Sequence, residues 1–192
     1  MLYLASQSPR RRQLLAQLGV EFRLLDVEVE EVRDPAEAAA DYVRRVAREK
    51  AGAGLLEVVA VPGAVVLGAD TEVVLDGEVF GKPRDEAHAA DMLRRLSGCS
   101  HEVITAVSLV SAGREAQAVS NSQVRVAALS DADIAAYLAS GEWQGKAGAY
   151  AIQGRFEAHI EHLSGSFSGV MGLPLHETTV LLKQFGLHEK HS

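Results

Sequence analysis

The sequence predicts an α/β protein built on a mixed β-sheet flanked by helices, and three observations carry that prediction. Apolar runs of strand length open the chain and recur along it, at Leu2-Tyr3-Leu4-Ala5, at residues 64–70 and again near residues 103–110. Segments with helical spacing of apolar residues lie between such runs, capped at their starts and stopped by glycines. Strands and helices alternate irregularly, which favours a mixed sheet over a strictly doubly wound one. The size suits this reading: 192 residues, 47% of them hydrophobic, suffice for one domain over residues 1–192, with a frayed tail over about 187–192.

Each element has a local reason. Residues 2–5 form a short buried strand. Ser8 is a good N-cap and Pro9 suits the first helical position, so a helix starts there, with Leu14, Leu15 and Leu18 as its apolar stripe and Gly19 as its stop. A second strand covers residues 22–29. Asp34-Pro35 opens a long helix with Tyr42, Val43, Val46 and Ala47 on one face, closed by the Gly52–Gly54 region. The strand at 64–70 continues through 72–75 to a turn at Asp76-Gly77, and Gly81-Lys82-Pro83 is a loop. A helix from Asp85 presents Ala89, Met92, Leu93 and Leu96 and stops at Gly98. Residues 103–110 and 116–129 make a hairpin turning at Ala112-Gly113. Ser130 and Asp133 form a capping box for a helix over 134–138. Residues 145–154 are a loop leading to a strand near 158–163, and a last helix runs over about 175–185.

Composition excludes several functions. With 19 Lys and Arg against 26 Asp and Glu, the net charge is −7, which argues against nucleic acid as the main partner. One cysteine, Cys99, allows neither an intramolecular disulfide nor a cysteine-based zinc site. No apolar run is long enough to span a membrane, and the N-terminus lacks the marks of a signal peptide, so a cytoplasmic location is expected. The seven histidines show no metal-site spacing; packing or surface roles are expected for them, as for Cys99 and Trp143.

Five segments carry chemistry. Ser6-Gln7-Ser8-Pro9-Arg10-Arg11-Arg12 places three arginines at a helix start, where they oppose the macrodipole. A solvated basic turn is the plain reading. The alternative is a bound phosphate, which accepts from the helix N–H groups, the serine hydroxyls and the guanidinium forks together. Lys50 falls on the apolar stripe, seven residues after Val43 and four after Val46, where it either snorkels or faces a phosphate. Asp70, in Gly68-Ala69-Asp70-Thr71, ends an apolar strand, the edge at which open α/β sheets place their sites. It is a turn cap, a general base or a metal ligand. Lys82 follows across an intervening hairpin and can return to the same edge. Glu30-Glu31 is a solvated pair or the source of a second carboxylate for Mg²⁺, with Glu31 preferred. Residues 145–154 are rich in small residues, and the Gln153 amide can both donate to and accept from a base edge.

Together these segments resemble the Maf family of nucleoside triphosphate pyrophosphatases. The matching stretches are Ser6-Gln7-Ser8-Pro9-Arg10-Arg11, Arg48-Glu49-Lys50-Ala51, Gly68-Ala69-Asp70-Thr71, Gly81-Lys82-Pro83-Arg84, residues 146–154, and Gly165-Ser166-Phe167 through Val170-Met171-Gly172-Leu173-Pro174. They span nearly the whole chain in order. Arg10, Thr71 and Gln153 make the chain similar to the branch that hydrolyses dTTP and UTP. Gln7 and Phe167 stand where other members often carry Gly and Tyr. The resemblance implies an elongated mixed sheet flanked by helices, two lobes and a central cleft. It implies Asp70 as proton acceptor, a divalent cation (Mg²⁺ or Mn²⁺) and release of pyrophosphate from the nucleotide; on the reading of the residues themselves, Asp70 and the preferred Glu31 would hold that cation. Ser8, Arg10, Arg11, Lys50 and Lys82 would meet the phosphates, with Thr71 and Gln153 favouring the uracil or thymine edge. Rival expectations are an inosine or xanthosine triphosphate pyrophosphatase and a nucleotide-binding regulator of septation without enzymatic activity. A homodimer is also expected.

Overall fold

Leu2–Ala5 (β1) is buried along its whole length, which requires neighbours on both edges and both faces. It has parallel partners on each side: Phe22–Leu25 (β2) pairs with Leu2 opposite Phe22, and Val65–Leu75 (β3) with Leu2 opposite Val65. Pro9–Ala16 (α1) connects β1 to β2, and Ala39–Glu57 (α2) carries the chain from β2 back past β1 to β3. The first crossover leaves β1 toward one side and the second returns past it to β3 on the other, so a topological switch point falls at the carboxyl ends of β1 and β3. Leu4 lies opposite Leu67, which puts Asp70 just beyond the carboxyl end of β1.

The computed structural model describes residues 1–187. Beyond β3 come Glu78–Phe80 (β4), Glu86–Leu96 (α3), Ser100–Ser111 (β5), Arg114–Val126 (β6), Asp131–Leu138 (α4), Ile160–Ser164 (β7), Phe167–Met171 (α5) and Leu175–Gln184 (α6), with 3-10 turns at Ala147–Ala149 and Arg155–His159. The sheet has seven strands in the order β2-β1-β3-β5-β6-β7, with β4 paired antiparallel to β3. Parallel pairs at β1 and antiparallel pairs at β3–β4 and β6–β7 make it mixed, as expected. Of the expected tail at about 187–192, Leu187 donates its N–H to the Leu182 carbonyl at 2.9 Å, and residues 188–192 lie outside the described residues. No helix among the described residues is long and apolar enough to cross a membrane.

Two compact units divide the chain. The first comprises Met1–Asp70, Thr105–Ser120 and the described residues from Gly172; the second comprises Thr71–Ile104 and Asn121–Met171. In the first, Tyr3, Ala5, Val58, Ala64 and Val66 are buried against Leu25, Val27 and Leu55. In the second, Val73, Phe80, Leu93, Tyr137, Tyr150 and Phe156 belong to a larger core. Trp143 is buried there with its Nε1 donating to the Leu138 carbonyl, and half-buried Cys99 packs against the same core.

The boundaries of β2 and α2, which flank the first unit's core, differ from the sequence reading. β2 ends at Leu25 instead of residue 29. α2 begins at Ala39 because Asp34 first closes a turn, its Oδ1 accepting from the Ala36 N–H while Arg33 bonds the Glu37 carbonyl. Gly52 and Gly54 do not end α2, which runs on to Glu57. Gly54 serves close packing: a Cβ there would lie 2.9 Å from Val66 Cγ1 and 3.1 Å from the Ala5 Cβ.

The second unit buries one histidine. His101 is 2% exposed, its Nε2 is 2.7 Å from the Tyr150 hydroxyl, and its Nδ1 has no partner among the described residues. Burial lowers its pKa from 6.5 to about 4. The unfolded chain therefore binds more protons between those values, and stability falls as the pH drops through them. The loss expected between pH 7 and pH 5 is about 2 kcal/mol. Urea midpoints at the two pH values measure it; His101→Phe should remove that slope, and an equal slope in the variant would assign it elsewhere.

Candidate functional site

The carboxyl end of β1 delivers the chain into α1 through Ser6-Gln7-Ser8. Ser8 is the N-cap, its Oγ accepting from the Arg11 N–H at 3.4 Å, and Pro9 occupies the first turn. The Ser8 N–H in turn donates to Ser6 Oγ. This fixes where Arg10, Arg11 and Arg12 leave the helix. Arg11 is half-buried, and its Nε donates to the Gly172 carbonyl at 2.8 Å. Burial pulls the Arg11 guanidinium below its ordinary pKa, and the charges of Asp70 and Glu31 push it back up. Arg11 thus lies within the field of both carboxylates.

Lys50 is the centre of the cluster. It sits on the buried stripe of α2 with Val43, Val46 and Ala47, and is itself 9% exposed. Its Nζ is 2.8 Å from Asp70 Oδ1 and 2.6 Å from Glu31 Oε1. Lysine reaches Asp70 because α2 and β3 touch at Gly68, where a Cβ would lie 2.3 Å from the Ala47 carbonyl oxygen and 2.6 Å from the Ala51 nitrogen. Strand alternation puts Gly68 and Asp70 on the same face of β3, the one that α2 covers. The first unit therefore brings Ser8, Arg11, Glu31, Lys50 and Asp70 into one neighbourhood, with Arg10 on the same turn of α1. Exposed Glu30 does not share Glu31's bond to Lys50.

Thr71, Lys82 and Gln153 belong to the second unit. Alternation along β3 turns Thr71 away from the Asp70 face, toward that of Val73. Val73 packs against Gly148, where a Cβ would lie 3.0 Å from Val73 Cγ2 and φ is +68°. The Gly148 N–H donates to the Gly81 carbonyl at 3.3 Å, which ties the loop carrying Lys82 to the loop that runs on to Gln153. Further along, the Ala151 N–H donates to the Tyr137 hydroxyl and the Arg155 N–H to Glu142 Oε2, bracketing exposed Gln153. Thr71 and the Gln153 loop thus share one side of β3 within this unit.

Sequence reading assigned no role to Gly68 or Gly172. Both belong to motifs quoted above, but what each does depends on a contact distant along the chain. Gly172, at φ +115°, is in backbone territory that favours glycine and presents its carbonyl to Arg11.

Among the described residues there is no group of three or more His, Cys, Asp and Glu poised for a metal. The donor set is instead two carboxylates bridged by one ammonium. That set fits a hard divalent cation of the Mg²⁺ type, which takes one or two carboxylates and completes its shell with water and phosphate oxygens. The position between the carboxylates already attracts positive charge, as Lys50 shows.

The family model described as Maf-like protein matches residues 1–185. A dTTP/UTP pyrophosphatase of Xanthomonas euvesicatoria pv. vesicatoria is 60% identical over 190 residues, covering 98% of this chain and 100% of that protein. A nucleoside triphosphate pyrophosphatase of Xylella fastidiosa (strain M23) is 59% identical, covering 96% and 98%. A dTTP/UTP pyrophosphatase of Methylococcus capsulatus is 58% identical, covering 97% and 91%. Among solved structures, the Ham1 protein of Staphylococcus aureus aligns at a TM-score of 0.44 and 12% identity, over 65% of this chain and 71% of that one. With near-complete coverage at this identity and the family model spanning the same residues, the chain belongs to the Maf-like protein family.

Proposed function

We propose that this chain is a nucleoside triphosphate pyrophosphatase that hydrolyses dTTP and UTP to the monophosphate and pyrophosphate, clearing unwanted nucleotides from the pool. The observation that carries the reading is the cluster of Lys50 and Arg11 around the carboxylates of Asp70 and Glu31, at the switch point beside the capped start of α1. The names of relatives near 60% identity supply the substrate class.

Asp70 accepts the proton of the attacking water and orients its oxygen toward the α-phosphorus. The bond from that phosphorus to the bridging oxygen breaks, and the electron pair leaves with pyrophosphate. Arg10, Arg11, Lys50 and Lys82 offset the charge of a triphosphate, about four negative charges, and Ser8 with the first N–H groups of α1 adds donors. Glu31 and Asp70 would hold a divalent cation, Mg²⁺ or Mn²⁺, which when bound would supply charge to polarise the phosphate and stabilise the leaving group. Thr71 and Gln153 are assigned the pyrimidine edge, whose alternating O4, N3–H and O2 an amide and a hydroxyl match.

A pyrophosphate-release panel with Mg²⁺ or Mn²⁺ tests this. The expected result is cleavage of dTTP and UTP well above ITP, with 5-methyl-CTP and pseudo-UTP added to define the physiological target. Preferential turnover of ITP would move the chain to the purine-directed class. Binding without cleavage of any triphosphate would make it a nucleotide-responsive regulator.

A further inference from the structure

Lys50 stands in the place where a cation shared by Glu31 and Asp70 belongs. Its Nζ is within hydrogen-bond distance of one oxygen from each carboxylate, and its stem is packed in the buried stripe of α2. Arg11 adds a second positive charge to the same field. Two carboxylates facing two cationic side chains form a balanced set, in which an added divalent cation meets repulsion from both.

We propose that Lys50 is a resident counter-cation that blocks metal entry until the nucleotide arrives, so that metal and nucleotide bind interdependently. The incoming phosphates are the only strong new acceptors for the ammonium. As Lys50 turns to them, the Glu31 and Asp70 oxygens are released as ligands at the moment that phosphate oxygens become available to complete the shell. The free protein then holds the metal weakly, and neither carboxylate is left uncompensated in either state, which for buried Asp70 avoids the large cost of an unpaired buried charge. Lys50 accordingly has two successive partners, carboxylate and then phosphate. This inference rests on the metal and nucleotide assignments of the proposed function.

The test is Mn²⁺ binding to the nucleotide-free protein, read from the electron paramagnetic resonance signal of free Mn²⁺. Removing the ammonium in Lys50→Met should tighten Mn²⁺ binding more than tenfold over wild type, while turnover falls because the phosphates lose a partner. Affinity rising while activity falls is a pattern that simple structural damage does not produce. Lys50→Gln, which keeps a polar end, serves as the second variant if Lys50→Met does not fold, with the same expected direction. Adding Glu31→Gln to either variant should reverse the gain, locating the metal between these carboxylates. Unchanged or weaker Mn²⁺ affinity in a folded Lys50 variant overturns the proposal, as does a gain that Glu31→Gln leaves intact. The parent reading fails separately: wild type that binds no Mn²⁺ even with a non-hydrolysable α,β-imido-dUTP, and needs none for turnover, removes the metal assignment itself and this inference with it.

Discussion

Asp70→Asn should reduce turnover at least a hundredfold while leaving the protein folded. The side chain is 6% exposed, and its Oδ1 accepts from Lys50 Nζ at 2.8 Å. Asparagine keeps the shape and one acceptor oxygen, so Lys50 retains a hydrogen bond there and still has Glu31 at 2.6 Å. The ammonium is therefore not orphaned, and the stability cost should stay below the roughly 3–5 kcal/mol of a broken buried pair. Chemistry suffers more. The amide cannot take a proton from water, and general-base catalysis contributes about a hundred- to ten-thousandfold. It also removes one of two carboxylates available to a cation. Initial rates of pyrophosphate release from dTTP, with a urea midpoint for each protein, measure both sides. Activity above a tenth of wild type in a folded variant would take the proton-accepting role away from Asp70.

The parts of this site that were legible in the sequence are those that depend on neighbours along the chain. The capped start of α1 follows from Ser8, Pro9 and the helical stripe behind them, and the structure has it at the expected residue. The burial of Lys50 follows from its spacing to Val43 and Val46. What Lys50 does there was not legible, because its two partners come from the segment after β2 and from β3, and pattern along one helix does not show what packs across from it. The same holds for Arg11, whose Nε is fixed by a carbonyl 161 residues away. Gly54 was misleading for a related reason: glycine marks a helix stop when only local backbone energy is considered, whereas here it admits Val66 and Ala5 against the helix. The five-residue α5 was missed because so short a segment has no periodicity to detect.

Gly68→Ala is expected to destabilise the first unit by about 3 kcal/mol or more and to lower activity in the fraction that stays folded. The added methyl would start 2.3 Å from the Ala47 carbonyl oxygen and 2.6 Å from the Ala51 nitrogen. Both are backbone atoms of α2, so no rotamer change relieves the overlap; either the helix or the strand must move. Overpacking of this kind costs about 1–3 kcal/mol where side chains can yield, and more where they cannot. Displacing α2 also carries Lys50 away from Asp70, since Lys50 lies between the two residues that the methyl strikes. Gly52→Ala is the control. It lies in the same helix with nothing within 4 Å of its would-be Cβ, so alanine there should be neutral or stabilising by up to about 1 kcal/mol. Urea midpoints of the two variants read the packing effect. Rates taken at temperatures where Gly68→Ala is still folded read the displacement of Lys50. A Gly68→Ala protein within 1 kcal/mol of wild type, or one that is destabilised yet fully active while folded, would mean that the close approach of α2 to β3 is not what sets Lys50 against Asp70.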